Sequence, residues 1–222
     1  MTTTLPLFPL GTVLLPGTSL PLHVFEPRYR QLTVDLMTGE LPDRSFGVVA
    51  IRQGWEVGPG NATALHTVGC EALLHDAKPL PDGRFDLSCQ GGRRFKLVSV
   101  DTESAPYLMG TVEWVDDVAS PPEVAEMLPL LEERARAAFS RYRRAAFEDD
   151  PVVESPAEAL AYCLANDCLL TLEDRQRLLE ERSEARRLRM VRRAMHREAG
   201  IITALHAVPA PLAELGHLPH RN

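Results

Sequence analysis

Lysine is almost missing from this chain: Lys78 and Lys96 are the only two in 222 residues, so its positive charge is carried by arginine. Neither lysine follows a glycine-rich turn and no G-x-x-x-x-G-K-[ST] segment occurs, which excludes a P-loop ATPase. A serine–lysine dyad would have to recruit one of these two residues, both in or beside hairpin strands, and no G-x-S-x-G elbow is present for a serine hydrolase. Cysteine is scarce as well. Cys70, Cys89, Cys163 and Cys168 are too few and too scattered to staple a chain of this length, and without a C-x-x-C spacing a structural zinc site is not expected. No run of eighteen apolar residues exists to cross a membrane. The start "MTTTLPLFPLGTVLLPG" lacks a basic n-region and a small-residue cleavage site, so the expectation is a soluble, cytoplasmic protein. The histidines, His23, His66, His75, His196, His206, His217 and His220, form no H-E-x-x-H pair and read as packed or solvated imidazoles, so no metal or other cofactor is expected.

Positive charge in excess is absent too. A formal net charge of -7 argues against general polyanion binding, which needs a basic surface. What is present is 45% apolar residues, enough for an ordinary core, and a change of texture near residue 118. Before it, "LPLF", "SLPLHVF", "FGVVAIR", "LHTVGCEALLHDA", "RFDLSCQG", "RFKLVSVD" and "YLMGTVEWVD" read as short strands, with "LPDGR" as a hairpin turn. In "SLPLHVF", Leu20, Leu22 and Val24 share one face, and Pro21 removes a ladder donor, which puts this strand at an edge. So many short strands with one early helix predict a closed or partly closed antiparallel barrel, since closure hides edges. Folding the hairpin about Leu80 sets Cys70 roughly opposite Cys89, where two buried thiols are expected in preference to a disulfide.

After the seam the spacing turns helical. "SPPE" at 120–123 and "SPAE" at 155–158 place serine at the N-cap, proline at the first helical position and glutamate at the third. Thr171 with Asp174 gives another start and "SEAR" from 183 a last one, predicting helices over 121–146, 156–166, 172–181 and 184–204, with Pro129 kinking or splitting the first. One apolar stripe per helix, for example Leu160, Cys163 and Leu164 or Leu188, Val191, Met195, Ile202 and Leu205, suits a small bundle. Arginines 175, 177, 182, 186, 187, 189, 192, 193 and 197 crowd the last two helices. Interleaved Glu173, Asp174, Glu180, Glu181, Glu184 and Glu198 make self-neutralising, solvated helix faces the simpler reading than a phosphate-binding patch. The organisation predicted is a β pseudo-barrel over 1–117, a helical bundle over 118–207 and a flexible tail over 208–222, an α+β chain.

The segment "LHVFEPRYRQL" at 22–32 joins the two textures in miniature. The strand ends at Phe25, Glu26 is placed to cap, and Pro27 opens a helix that buries Tyr29, Leu32 and Leu36. Glu26 then lies near Arg28 or Arg30, and no second polar group converges locally as catalysis would require, so no catalytic residue is assigned.

These residues carry a resemblance. "LPLFPLGTVLLPGTSLPLHVFEPRYRQLTVDLM" resembles the opening of the Lon protease N-terminal substrate-binding domain, with its proline-rich first strand, its proline–glycine turn and its phenylalanine–glutamate–proline–arginine–tyrosine corner. "VGCEALLHDAKPLPDGRFDLSCQGGRRFKLVSV" and "RQRLLEERSEARRLRMVRRAM" continue it, so that it covers roughly residues 5–205. The resemblance implies a PUA-like pseudo-barrel followed by helices, and recognition of unfolded or exposed polypeptide segments. It also implies a stand-alone member without the ATPase and serine–lysine protease of full Lon, acting with an ATPase or protease in trans if with any. Phe25, Glu26, Arg28 and Arg30, beside the barrel edge, are the expected peptide-binding residues. RNA binding is the alternative, since PUA-like barrels resemble RNA-recognition modules, although the acidic total charge makes a nucleic-acid partner the weaker expectation.

Overall fold

The first ten residues show how this fold is assembled. In the computed structural model, which describes residues 2–41, 43–54, 62–149 and 151–205, "TTTLPLFPL" is strand β1 (Thr2–Leu10), and from Leu5 onward every residue of it is buried. A run buried on both faces needs cover on both sides and partners for its backbone, and β1 finds its backbone partners in two stretches. Thr2–Pro6 pair antiparallel with β7 (Met109–Trp114), whereas Leu7–Leu10 pair in parallel with β3 (Ser45–Gly54).

That change of partner closes the sheet. The remaining strands are β2 (Ser19–Val24), β4 (Ala62–Leu65), β5 (Val68–Pro79) and β6 (Phe85–Asp101). Hydrogen bonding runs β1-β7-β6-β5-β3 and returns to β1, with β2 outside the circuit on β6 and β4 on β3. Every pair is antiparallel except β1–β3. The result is the expected pseudo-barrel, closed by one parallel seam. Its interior holds Leu5, Leu7, Val49, Phe95 and Val112. Phe95 meets Trp114 edge-on at 6.5 Å, and a Cβ at Gly47 or Gly69 would lie 2.8 or 2.5 Å from the Phe95 ring, so these two positions must stay bare.

Two expected strands, "RFDLSCQG" and "RFKLVSVD", are halves of one: β6 runs unbroken for 17 residues. Its first half lies between β2 and β5 and its second between β5 and β7, with Gly91 and Gly92 at the changeover. The long run "LHTVGCEALLHDA" divides the other way, into β4 and β5 at His66 and Thr67. The hairpin turn forms where expected, with Gly83 at φ 79° and its N–H donating to Leu80 O at 2.9 Å. Its register, however, pairs Pro79 with Phe85 and, after bulges at Cys70/Ala72 and Leu74/Asp76, sets Cys70 opposite Arg94 and Cys89 opposite Leu74. Cys70 and Cys89 therefore do not face each other, and both are free buried thiols. The turn centre lies near Asp82 rather than Leu80, and that offset moves every cross-strand pair.

β2 has the predicted alternation, with Leu20, Leu22 and Val24 inward of Ser19, Pro21 and His23. Its only partner among the described strands is β6, which is the edge position that Pro21 requires. Helix α1 (Pro27–Thr38) follows and buries Tyr29, Leu32, Thr33 and Leu36. Glu26 occupies the N-cap position but makes no side-chain cap bond, contrary to expectation, because its carboxylate turns to Arg28.

The helical residues divide between two compact units. Helices α2 (Pro122–Ala125), α3 (Leu128–Phe147), α4 (Leu160–Asn166, entered by a 3₁₀ turn at Ala157–Ala159) and α6 (Glu184–Leu205) lie in the second unit. Helix α5 (Leu172–Glu180) belongs to the first, which comprises Met1–Ala119 and Leu172–Ser183; a single cut at 117/118 would assign it to the helices. Gln176 of α5 donates to Val68 O at 3.0 Å, and Arg94 of β6 donates to Leu179 O and Glu181 O at 3.1 and 2.8 Å. Met127 and Pro129 split the first predicted helix into α2 and α3, as proline demands. The serine caps do not form. Pro121 and Pro156 take the N-cap positions, one residue later than Ser120 and Ser155, because a second proline or a 3₁₀ turn delays the first helical bond.

Within the second unit, Ala135, Phe139 and Tyr142 of α3, Leu160, Tyr162 and Leu164 of α4, and Leu188, Val191, Met195 and Ile202 of α6 are buried. Leu205, expected in that stripe, is exposed at the end of α6. Arg187 departs from the solvated-face reading: it is fully buried, its guanidinium 4.9 Å from the Tyr162 ring centroid. The expected tail over 208–222, with His217 and His220, lies outside the described residues, as does His206.

Candidate functional site: the strand–helix corner

The corner is built on an aromatic stack. Tyr29, one turn into α1, lies flat on Phe8 of β1 with centroids 3.9 Å apart and planes 12° apart, and Phe8 leans on Phe46 of β3 at 5.8 Å. Burial of two large rings holds such a stack. The Arg28 guanidinium sits 4.6 Å from the Tyr29 centroid and pairs with the Glu26 carboxylate at 3.0 Å. Both partners are largely shielded, so this pair holds its geometry better than an exposed one.

Between the end of β1 and the outer strand β2 the stack leaves a groove of about 160 Å³, lined by Phe8, Pro9, Leu10, Leu22, His23, Val24, Phe25, Glu26 and Tyr29. Phe25, 48% exposed, stands at its rim. A large aromatic left half in water beside an apolar hollow is the unusual feature, since scattered exposed aliphatics need no explanation. Of the four residues expected here, Phe25 and Glu26 line the groove. Arg28 braces it through Glu26 and Tyr29, and Arg30 lies over Gly83 of the hairpin, where an added Cβ would strike its guanidinium. Phe8, Pro9 and Leu10 were not anticipated, because nothing local in "LFPL" tells that β1 ends against β2. His23 Nδ1 lies 2.7 Å from Asp86 Oδ1 on the solvent side.

Thiol chemistry finds no footing in this unit. Burial pushes the Cys89 thiol up to about 12 and Cys70 higher still, which keeps both protonated and poor as nucleophiles. Among the described residues no cluster of three or more His, Cys, Asp or Glu could hold a metal ion, and no helix is long and apolar enough to cross a membrane.

Comparison with known proteins fits this architecture. The family profile of the ATP-dependent protease La (LON) substrate-binding domain matches residues 4–197. The chain belongs to the Lon substrate-binding domain family. Lon protease of Anaeromyxobacter dehalogenans is 31% identical over 204 residues, covering 89% of this chain. Lon protease 1 of Herpetosiphon aurantiacus is 26% identical over 201 residues, covering 87%. The chain spans 24% of the length of each of these relatives, and the family match is to the substrate-binding domain alone, not to protease or ATPase domains. A Lon N-terminal domain protein from Xanthomonas campestris superposes with a TM-score of 0.58 at 29% identity, covering 85% of this chain and 96% of that one. The N-terminal domain of a Mycobacterium avium complex Lon protease gives 0.62 at 18% identity, covering 87% and 98%, and supports the fold.

Proposed function

We propose that this Lon-type domain is a non-enzymatic, cytoplasmic module that binds exposed, partly apolar polypeptide segments at the strand–helix corner. The observation that carries the reading is the half-exposed Phe25 at the rim of an apolar groove beside a strand that is bonded on one edge among the described residues. An extended segment lies along β2, trading backbone hydrogen bonds with its outer edge and placing one apolar side chain against Phe25, Leu22 and Phe8. Pro21 limits that ladder to the ends of β2, so affinity rests on the side chain. Burying one or two such groups yields about 1.5–3 kcal/mol each, so even with backbone bonds offsetting the cost of association the dissociation constant lies between tens of micromolar and about a millimolar or weaker. Weak capture suits a domain that hands segments on, to an ATPase or protease supplied by the same or another chain.

Fluorescence anisotropy with labelled peptides from an unfolded protein tests the proposal. Apolar-containing peptides bind the wild type; Phe25→Ala weakens them about tenfold, and Arg28→Ala less, since it only loosens the brace. Indifference of every peptide at about a millimolar, or equal binding by Phe25→Ala, defeats it.

A further inference from the structure

A second surface, in the helical unit, has different chemistry. Along the seam between α3 and α6 run two adjoining hollows of about 230 and 360 Å³ that share Arg141 and His196. Arg134 lines the first with Arg192, and Ala145 the second with Thr203 and Ala204, so early residues of α3 meet early residues of α6 and late meet late. The two helices therefore run side by side in the same direction, and the hollow follows them from Arg134 to Ala145, three turns or roughly 16 Å. Its floor is small side chains: Ala137, Ala138 and Ala145 from α3, Ala199, Gly200 and Ala204 from α6. Its rim is basic. Arg134, Arg141, Arg192 and His196 line it, no carboxylate does, and none of the four makes an ion pair or side-chain hydrogen bond with another described residue. The Arg192 Nε is shielded from water and has no hydrogen-bond partner there, a donor left unspent at real cost.

The setting makes this notable. In a chain of net charge -7, other cations here find acids nearby, Arg143 on Asp149 at 2.8 Å and Arg197 on Glu198 at 2.7 Å. We propose that the α3–α6 groove is a docking site for an acidic amphipathic helix of a partner protein. Small residues let a third helix approach closely, as in a bundle. Carboxylates at i, i+4, i+7 and i+11 along the docked helix then face the two arginines of α3 and the Arg192–His196 pair of α6. Bidentate arginine–carboxylate contacts fix its register. Among the described residues no aromatic side chain lines the groove to stack a base, which disfavours single-stranded RNA as the occupant. Residues 206–222 match it poorly, with one carboxylate side chain, Glu214, against four basic groups.

The test uses the full chain and a fluorescein-labelled 18-residue alanine-based helix with glutamates at those four spacings. Its counterpart with glutamine at the same positions, a 20-nucleotide polyuridylate and a peptide of residues 206–222 serve as competitors. The acidic helix binds, weakens at least tenfold in Arg141→Glu and in Arg134→Glu, weakens with salt, and is untouched by Phe25→Ala, which separates this surface from the corner groove. Both variants alter exposed side chains and leave the circular dichroism spectrum unchanged. Failure of the acidic helix to bind at several hundred micromolar, equal binding by the glutamine helix, indifference to the charge reversals, or displacement by polyuridylate or by the 206–222 peptide at lower concentration overturns the proposal.

Discussion

Arg94 holds α5 onto the sheet unit, and its removal should be among the most damaging single changes to that unit. Its side chain is buried. One Nη1 group donates to Leu179 O at 3.1 Å and Glu181 O at 2.8 Å, and Nη2 pairs with the Asp117 carboxylate. Leu179 and Glu181 stand at the C-terminal end of α5, where the carbonyls have no partner within the helix and carry the negative end of its dipole. A hydrogen bond from a charged donor contributes about 1.5–3 kcal/mol net. The Asp117 pair adds less, about 1 kcal/mol at most, because that carboxylate is 42% exposed and screened. Arg94→Ala should therefore cost roughly 3–5 kcal/mol, the range seen when one partner of a buried charge network is deleted. Asp117→Asn should cost no more than about 1 kcal/mol. Arg94→Lys should fall between them, since an ammonium keeps the charge but loses the planar fork that reaches three acceptors. Urea unfolding followed by tryptophan fluorescence reads the sheet unit, since Trp55 and Trp114 both fall within residues 1–119, and amide exchange reads α5. An Arg94→Ala protein within 1 kcal/mol of wild type, with α5 amides still protected, would refute the clamp.

Two further changes probe the barrel. Cys89, with its pKa raised by burial from about 8.5 to about 12, keeps its proton in the folded chain when the unfolded chain has lost it. The folded state then binds more protons, so stability holds below about pH 8.5 and falls from there to about pH 12, by up to 1.4 kcal/mol per pH unit for this group; Cys70 and Tyr107, also raised by burial, act in the same direction. Urea midpoints at pH 8, 9.5 and 10.5 should show this slope, and Cys89→Ala should reduce it by this group's share whatever its effect at pH 8. Gly91→Ala should cost about 2–3 kcal/mol, because its Cβ would strike the Leu15 carbonyl oxygen, backbone that the Gly17 N–H and Gly91 N–H bonds of 2.8 Å hold in place; a midpoint shift near zero would show that the 15–18 turn can move.

Local chemistry was legible and assembly was not. The alternation in "SLPLHV", the edge placement forced by Pro21, the α1 stripe of Tyr29, Leu32 and Leu36, and the break before Pro129 follow from rules that act within a few residues. Register did not follow. A hairpin centre misplaced by about two residues carries Cys70 away from Cys89 to face Arg94, while the two bulges shift the register by one residue and back, and neither feature leaves a mark in composition. The change of partner in β1 is hidden too, because "LPLFPL" reads the same whether it pairs with one strand or two. Phe25 and Glu26 were readable as a corner. The groove was not, since its far wall comes from residues 8–10, brought in by a parallel pairing.

The arginines of α6 show why interleaved charge misleads. Counted along the sequence, acids three or four residues away appear to neutralise them. Helical geometry sorts the same residues by face, and the sorting is uneven. Arg187 goes into the core against Tyr162, and Arg197 turns to Glu198. Arg192 and His196, one turn apart, face α3 and meet Arg134 and Arg141 there. Like charges gathered across a seam repel by a few tenths of a kcal/mol per pair on an exposed helix surface, a cost that folding alone gives no reason to accept. An acidic partner removes it, and neutralising the rim should stabilise the free domain. Arg141→Gln should therefore raise the thermal midpoint slightly in low salt, while weakening the acidic helix. A midpoint that falls would mean that the arginine is held by structure and leave the docking surface without its electrostatic motive.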